Sequence, residues 1–324
     1  MKVLSKFTLF ALISLSIFFY CRRFSDSVGK ARDVVVVASN LDTTLIKSHL
    51  QLYQYVPQRE PTFVFVFVPD SMLKNINQFH SIFLYGSLKD EFIYELLDAE
   101  ARQATLRDSF NLFKIENLWA KNQVVVILVV SEISYMPVAI AKYQNMIKKI
   151  LEESYYRKVK QSFYEKEMDR KIKTHLRRFG WEMDVPVGWM VDSTYRKENF
   201  VYVHTHYPDR SIFLYKEKNT VSLSDSMVIE KRNALTKRYY NGDYVFKDLT
   251  TVEPVEFQDM KGLRIRGVWQ NDSLVAGGPF LSYFLKKNDS LYVVDGILFL
   301  PGERKTDYIM GIEVMMNSFK RIEQ

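Results

Sequence analysis

The sequence predicts an α+β fold with two α/β-layer domains joined by a long charged helix, the C-terminal domain having a mainly antiparallel sheet flanked by helices. Three observations support this prediction. Apolar runs of strand length alternate with helical patterns up to about residue 136. The stretch from Pro137 to Phe179 then contains no Gly and no further Pro. Short apolar runs separated by "NDS" and "KND" turns fill the remainder of the chain.

The same patterns divide the chain into four segments. We expect a signal-like segment at residues 1–21, an N-terminal α/β domain at 22–136, a connecting helix at 137–179 and a C-terminal α+β domain at 180–324. With 47% hydrophobic and 15% aromatic residues, both domains can bury a core.

The first 21 residues resemble a bacterial export signal. Lys2 and Lys6 precede an apolar run from Phe7 to Tyr20, which has the length of a signal-peptide core and is short for a membrane span. Cys21 ends the run at the position where a bacterial lipoprotein carries its lipidated residue. Because Tyr20 replaces the small residue usual before such a cysteine, an uncleaved signal anchor is the alternative. Both interpretations tether the protein to a membrane and place the rest of the chain outside the cytoplasm.

Four strands and two helices are predicted for residues 22–136. The apolar runs "DVVVVASN", "PTFVFVFVPD", "FHSIFLYGS" and "NQVVVILVVSE" predict the strands, because each is rich in β-branched or aromatic residues and ends at polar residues or Pro. Helical patterns cover Leu41 to Tyr55 and Asp90 to Arg107.

The connecting helix is expected to run without a break from Pro137 to Phe179. Its apolar residues recur in four-residue steps, so the apolar stripe winds around the helix and its two ends face different partners. The basic cluster from Lys171 to Arg178 is interpreted as a solvated face near the helix C-terminus, closed by Gly180. An anion-binding patch is the alternative.

The C-terminal domain is predicted to contain strands at "NFVYVHTHY", "SIFLYKEK", "GLRIRGVWQ", "PFLSYFLKK" and "SLYVVDGILFLPG". A helix is expected from Ser224 to Tyr240, with Ser222 or Ser224 as its N-cap, and a final helix from about Thr306 to Phe319.

Five residues of this domain form a candidate ligand or partner site. Arg266 and Asp295 each stand alone in an apolar strand, where a charge is costly to bury unless it is paired. If the two strands are neighbours, the pair can form a salt bridge, and Trp269 lies close by for a ligand. Gly277 and Gly278 are interpreted as a turn leading into the next strand, with a backbone-lined edge of a ligand site as the alternative.

The sequence gives little indication of a metal site, a cofactor or a nucleic-acid partner. His204 and His206 have strand spacing and are weak candidates for metal ligands, since no third ligand is apparent nearby. We find no phosphate-binding glycine loop, dinucleotide fingerprint, zinc-protease motif or nucleophile elbow, so no cofactor is expected. The 45 basic and 38 acidic residues are intermingled, and no nucleic-acid partner is expected from the net charge of +7.

The blocks "GWEMDVPVGW", "LRIRGVW", "GGPFLSY" and "VVDGILFLPG", with "LWAKNQVVV" ahead of them, resemble an uncharacterised family of Bacteroidota envelope proteins, domain of unknown function 4837. Many members have Met before the Gly pair, where this chain has Ala276. The second half also resembles, loosely, Mog1- and PsbP-type domains, which open with a "P-x-G-W" strand, here Pro186 to Trp189. The resemblance implies a lipoprotein of the envelope and a partner-binding fold, and it supplies no catalytic residues.

These observations favour a membrane-tethered envelope protein that faces the periplasm and binds an envelope protein or small ligand without catalysis. Two alternatives remain open. One is an envelope hydrolase acting near Arg266 and Asp295. The other is a structural envelope component held by lipid and anionic head groups.

Overall fold

The computed structural model describes residues 24–219 and 221–322. The predicted signal-like segment and Cys21 lie outside the described residues, so the tether stays a prediction. Among the helices of the described ranges, none is both long enough and apolar enough to cross a membrane.

Between residues 24 and 164 the structure has twelve α-helices and β-strands. They are β1 (Asp33–Ala38), α1 (Thr43–Leu50), β2 (Tyr53–Tyr55), β3 (Arg59–Pro61), β4 (Val64–Pro69), α2 (Leu73–Ile76), β5 (Ser81–Ser87), α3 (Glu91–Tyr94), α4 (Ala99–Asp108), β6 (Phe110–Glu116), β7 (Val124–Val130) and α5 (Met136–Tyr164).

Another twelve follow in the C-terminal half. They are α6 (Arg170–Arg177), β8 (Trp181–Glu182), β9 (Met190–Asp192), β10 (Phe200–Thr205), β11 (Asp209–Lys218), α7 (Asp225–Tyr239), β12 (Tyr244–Phe257), β13 (Met260–Asn271), β14 (Ala276–Lys287), β15 (Ser290–Phe299), α8 (Thr306–Met316) and β16 (Lys320–Arg321).

The first sheet has five strands in the order β4-β1-β5-β7-β6, parallel except for the edge strand β6. Every residue of β5 and β7 is buried, as expected for central strands covered on both faces. Helices α1 and α5 cover one face of this sheet, and residues of α3 and of the segment before α4 pack on the other. The helix predicted from Leu41 to Tyr55 is wrong after Leu50, because Tyr53–Tyr55 pairs with β3 in a short hairpin. Pro57 follows after Val56 and disfavours a helical conformation there, and aromatic residues favour a strand.

The connecting helix is interrupted, which corrects the prediction of one helix from Pro137 to Phe179. It ends at Tyr164, and α6 begins at Arg170 after five intervening residues, with Asp169 as its N-cap. The Asp169 carboxylate accepts the backbone N–H groups of Lys171 and Ile172 at 2.8 and 3.0 Å. Its own backbone N–H donates to Val185 at 2.7 Å. A side-chain cap on α6 and a tertiary backbone hydrogen bond thus separate α6 from α5 without Gly or Pro.

The second sheet has seven antiparallel strands in the order β12-β13-β14-β15-β11-β10-β9. Helix α7 covers one face, and α6 and α8 cover the other. The α+β fold with an antiparallel C-terminal sheet flanked by helices is therefore confirmed. Ser224 caps α7 through a 3.3 Å bond from the Met227 N–H, as one of the two predicted caps. The "P-x-G-W" segment is not a strand, since β9 begins only after Trp189 and Gly188 has a φ of 93°.

Helix α8 connects the two halves of the molecule. The Glu60 carboxylate, on β3, accepts the backbone N–H groups of Lys305 and Thr306 at 2.9 and 3.1 Å and the Thr306 hydroxyl at 2.6 Å. It thereby caps a helix from the other half of the chain, which has no side-chain cap of its own. The side chain of Met310 lies in the core cluster of the first sheet.

Candidate ligand-binding cleft

A cleft lies between the β2–β3 hairpin and the second sheet. It encloses a cavity of about 450 Å³, which is within the size range of small-molecule sites. The hairpin side contributes Tyr53, Gln54 and Val56, and the opposite side is formed by β12, β13, β14 and α8. The residues on that opposite side are Asp248, Leu249, Thr250, Thr251, Arg266, Gly267, Pro279, Phe280 and Ile309.

A β-bulge shapes one side of this cleft. The pairing of β12 with β13 is interrupted between Phe246 and Thr251, so residues 247–250 leave the ladder. The Thr250 hydroxyl donates to the Phe246 carbonyl at 2.7 Å and packs against Gly267. A Cβ atom at residue 267 would overlap the Thr250 side chain. Glycine is therefore required there for the bulge to fold back onto β13.

Arg266 provides a positive charge at the bottom of the cavity. Its Nη2 donates to a carboxylate oxygen of Glu313, on α8, at 2.7 Å, and Arg264 donates to the other oxygen at 3.3 Å. The Arg266 side chain is 29% exposed and that of Glu313 is 8% exposed. Because one nitrogen is anchored and the group remains partly accessible, the guanidinium is oriented and still has N–H groups to donate to a ligand.

The predicted pair of Arg266 with Asp295 is wrong. Strand β14 lies between β13 and β15, so the two strands are not neighbours. Arg266 is in register with Leu281 and Gly296, whereas Asp295 is in register with Ser282. This offset of one residue places the two side chains on opposite faces of the sheet.

Asp295 instead binds Arg232, which projects from α7. The Arg232 Nε and Nη2 atoms donate to the two carboxylate oxygens at 2.7 and 3.3 Å, and the Ser282 hydroxyl donates to the same carboxylate. Both charged side chains are fully buried, and the Arg232 guanidinium lies 3.7 Å from the ring centre of Phe280. Asp295 is thus part of the protein interior and not of the cleft. Sequence reasoning missed Arg232 because it is one of many cations in a charged helix.

The Gly277-Gly278 pair lies within β14, which corrects its interpretation as a turn. The turn occupies residues 272–275, and both glycines pair with β13. A Cβ atom at Gly278 would overlap the Leu298 carbonyl, to which the Trp269 indole Nε1 donates at 3.3 Å. The close approach at Gly278 is therefore made by the protein itself.

A second cavity of about 440 Å³ adjoins the cleft and shares Leu249 with it. Trp269 and Gly277 line this second cavity. Of the five predicted site residues, Arg266, Trp269 and Gly277 line one of the two neighbouring cavities, whereas Gly278 and Asp295 line neither. The hairpin side of the cleft was missed, because its residues were predicted as helix.

His204, on β10, and His206, just after it, do not form a metal site. His206 Nδ1 lies 2.7 Å from the Asp209 carboxylate, and the His204 ring lies 5.6 Å from the His206 ring. Burial lowers the pKa of His204. Within residues 24–219 and 221–322, no three His, Cys, Asp or Glu side chains are grouped so as to hold a metal ion.

The cleft is suited to binding. Tyr53, Val56, Leu249, Pro279 and Ile309 give it apolar walls, and Arg266 provides an oriented cation. Its described lining contains neither His nor Cys, and its one carboxylate belongs to Asp248 on the bulge. This arrangement can desolvate an apolar group and bind an anionic or hydrogen-bond-accepting group at Arg266.

Residues 166–318, just under half of the chain, match the model of a family described as Domain of unknown function (DUF4837). The predicted resemblance is confirmed for this segment, and the "LWAKNQVVV" block lies outside it. No curated protein matches the chain.

Similar solved structures include cyanobacterial PsbP (CyanoP) from Synechocystis sp. PCC 6803, with 14% identity, 44% of this chain and 88% of that chain covered, and a TM-score of 0.34. LpqN, involved in cell envelope biogenesis of Mycobacterium tuberculosis, has 12% identity, coverages of 44% and 83%, and a TM-score of 0.30. A protein from Bacteroides thetaiotaomicron VPI-5482 has 9% identity, coverages of 45% and 46%, and a TM-score of 0.27.

Proposed function

We propose that the chain is a membrane-tethered envelope protein that binds a small ligand in the cleft at Arg266 and does not catalyse a reaction. The observation that carries the proposal is an oriented, partly accessible guanidinium at the base of a largely apolar cavity of about 450 Å³. The ligand that fits is a mainly apolar molecule with one anionic or hydrogen-bond-accepting group. We favour binding over the hydrolase alternative, because Arg266 and Asp295 lie on opposite faces of the sheet and do not form one site.

The cleft is tested by small-molecule mass spectrometry of the full-length chain purified from its own host. We expect the wild-type chain to retain a small apolar acid or polar lipid fragment, and Thr251→Trp to lose it because the indole fills the cavity. The matched control is Thr44→Trp, an exposed position on α1 away from the cleft. Equal retention by both variants, or no bound molecule in the wild type, would refute the proposed site.

The tether is tested separately by intact-mass analysis of the same preparation and of Cys21→Ser. We expect a mature wild-type chain that begins at Cys21 and carries added acyl mass, which the variant lacks. An unprocessed chain that begins at Met1 would replace the lipid anchor with an apolar anchor at residues 7–20.

A further inference from the structure

A second pocket, separate from the cleft, lies at the end of α6. It has a volume of about 680 Å³ and shares no lining residue with the cleft. Its cations come from four different elements, namely Arg178 after α6, Arg196 before β10, Lys216 on β11 and Arg321 on β16. The aromatic residues Phe179, Trp181 and Tyr292 also line the pocket, together with Gly180, Asn199 and Ile322.

The described lining of this pocket is rich in positive charge. No acidic residue lines it within the described part of the chain. Arg321 forms a salt bridge with Asp259 at 3.5 Å, so the excess of positive charge comes from Arg178, Arg196 and Lys216. Among the described residues, neither Arg178 nor Arg196 has an acidic partner within salt-bridge distance. Converging like charges repel one another, so an anion between them is stabilising.

The backbone fixes the positions of these cations. Lys216 pairs directly with Tyr292 across the sheet, and its ammonium lies 5.3 Å from the centre of that ring. Arg321 pairs with Trp181 in the two-stranded β8–β16 sheet. The Lys216 N–H donates to the Asn199 carbonyl at 3.2 Å, which holds the turn after Arg196 against β11. Two of the four cations therefore come from paired strands, a rigid support for a binding site.

We infer that this pocket binds a phosphate-bearing ligand. Several guanidinium and ammonium groups around one space suit the multiple acceptor oxygens of a phosphate. A volume of about 680 Å³ leaves room for a group attached to it, beside the aromatic rings. A soluble phosphorylated molecule and the head group of an anionic phospholipid share this chemistry.

The test is isothermal titration calorimetry of the full-length chain in neutral detergent micelles, with inorganic pyrophosphate as the probe. The pocket variant is Arg178→Gln/Arg196→Gln. The control is Lys197→Gln/Arg304→Gln, which removes the same charge from exposed positions outside the pocket. We expect the pocket variant to weaken pyrophosphate binding by about tenfold or more and the control to bind like the wild type.

A second titration uses micelles that contain phosphatidylglycerol. If the lipid suppresses pyrophosphate binding in the wild type, the pocket accepts a lipid head group; if it does not, the ligand is a soluble phosphate. Equal affinities of the pocket variant and the control would overturn the inference, since the attraction would then be a property of the net charge. Absence of saturable pyrophosphate binding to the wild-type chain in neutral micelles would also overturn it. Neither result bears on the molecule retained in the cleft, which is detected by mass.

Discussion

The two faces of the second sheet each hold an arginine–carboxylate pair, yet the pairs differ in accessibility. Beneath α7, Arg232 and Asp295 are both fully buried and contact Ser282 and Phe280. Beneath α8, Arg266 is 29% exposed and opens onto the cleft. The comparison shows that an isolated charge in an apolar strand does not by itself indicate a binding site. The accessible pair differs from the buried pair in having a cavity beside its arginine.

The largest loss of stability is expected on the α7 face of the sheet, where the arginine–carboxylate pair is fully buried. Asp295→Asn leaves the Arg232 guanidinium buried without a counter-charge and should lower the free energy of unfolding by about 3–5 kcal/mol. Urea denaturation measures this loss. The double variant Arg232→Met/Asp295→Leu should recover much of it, because no uncompensated charge remains. A loss below about 1 kcal/mol for Asp295→Asn would show that the pair is far less sealed than its zero exposure indicates.

A smaller but still measurable loss of stability is expected when the cap of α8, on the accessible face, is weakened. Glu60→Gln removes the charge that caps α8 and should cost about 1–3 kcal/mol, since the Lys305 and Thr306 N–H groups lose a charged acceptor. Hydrogen exchange of the first turn of α8 should accelerate, while α7 keeps its protection. Equal acceleration in both helices would contradict the separation of the two faces.

Removal of Arg266, the exposed member of the accessible pair, is expected to change stability least. Arg266→Gln should cost about 1 kcal/mol or less, because the Arg266 side chain is partly exposed and Glu313 keeps the Arg264 guanidinium as a partner. Its effect should instead appear in the amount of small molecule that co-purifies with the chain. If Arg266→Gln destabilises the protein as strongly as Asp295→Asn, the accessible pair is structural and the cleft loses its proposed role.

His80 provides a pH-dependent comparison outside the second sheet. Burial lowers the pKa of His80 below its usual 6.5, and its Nε2 donates to the Ala31 carbonyl at 2.8 Å. The unfolded chain therefore binds more protons than the native chain, so the contribution of His80 to stability is lost as pH falls from 6.5 through the lowered value. Urea midpoints between about pH 7.5 and about pH 5.5 should decline less in His80→Gln than in the wild type. Parallel declines would show that other groups determine the acid sensitivity.

Sequence reasoning succeeded where the signal was local. The runs at Val34–Val37 and Val124–Val130 predicted buried strands, because β-branched residues without polar interruption have few alternatives in a covered sheet. Strand β12 received no prediction, since Pro254 and its charged neighbours conceal an edge strand that is half in water.

The pairing of charges could not be predicted in the same way. Arg266, a predicted site residue, lines the cleft, but its partner Glu313 is on a helix 47 positions later. Whether Asp295 shares a face with Arg266 depends on strand order and on a register offset of one residue. Both are tertiary properties that single-strand patterns do not contain.

The cap that Glu60 provides for α8 means that the segment matched by the family model is not a self-sufficient piece of protein. A fragment spanning residues 166–318 would retain α8 but lose the carboxylate at its start and the apolar surroundings of Met310. Expressed alone, it would present a frayed helix end and a bare apolar strip, and would tend to self-associate. Work that dissects the protein should therefore start from residue 24 and keep both halves together, so that each supplies the other with what its own sequence lacks.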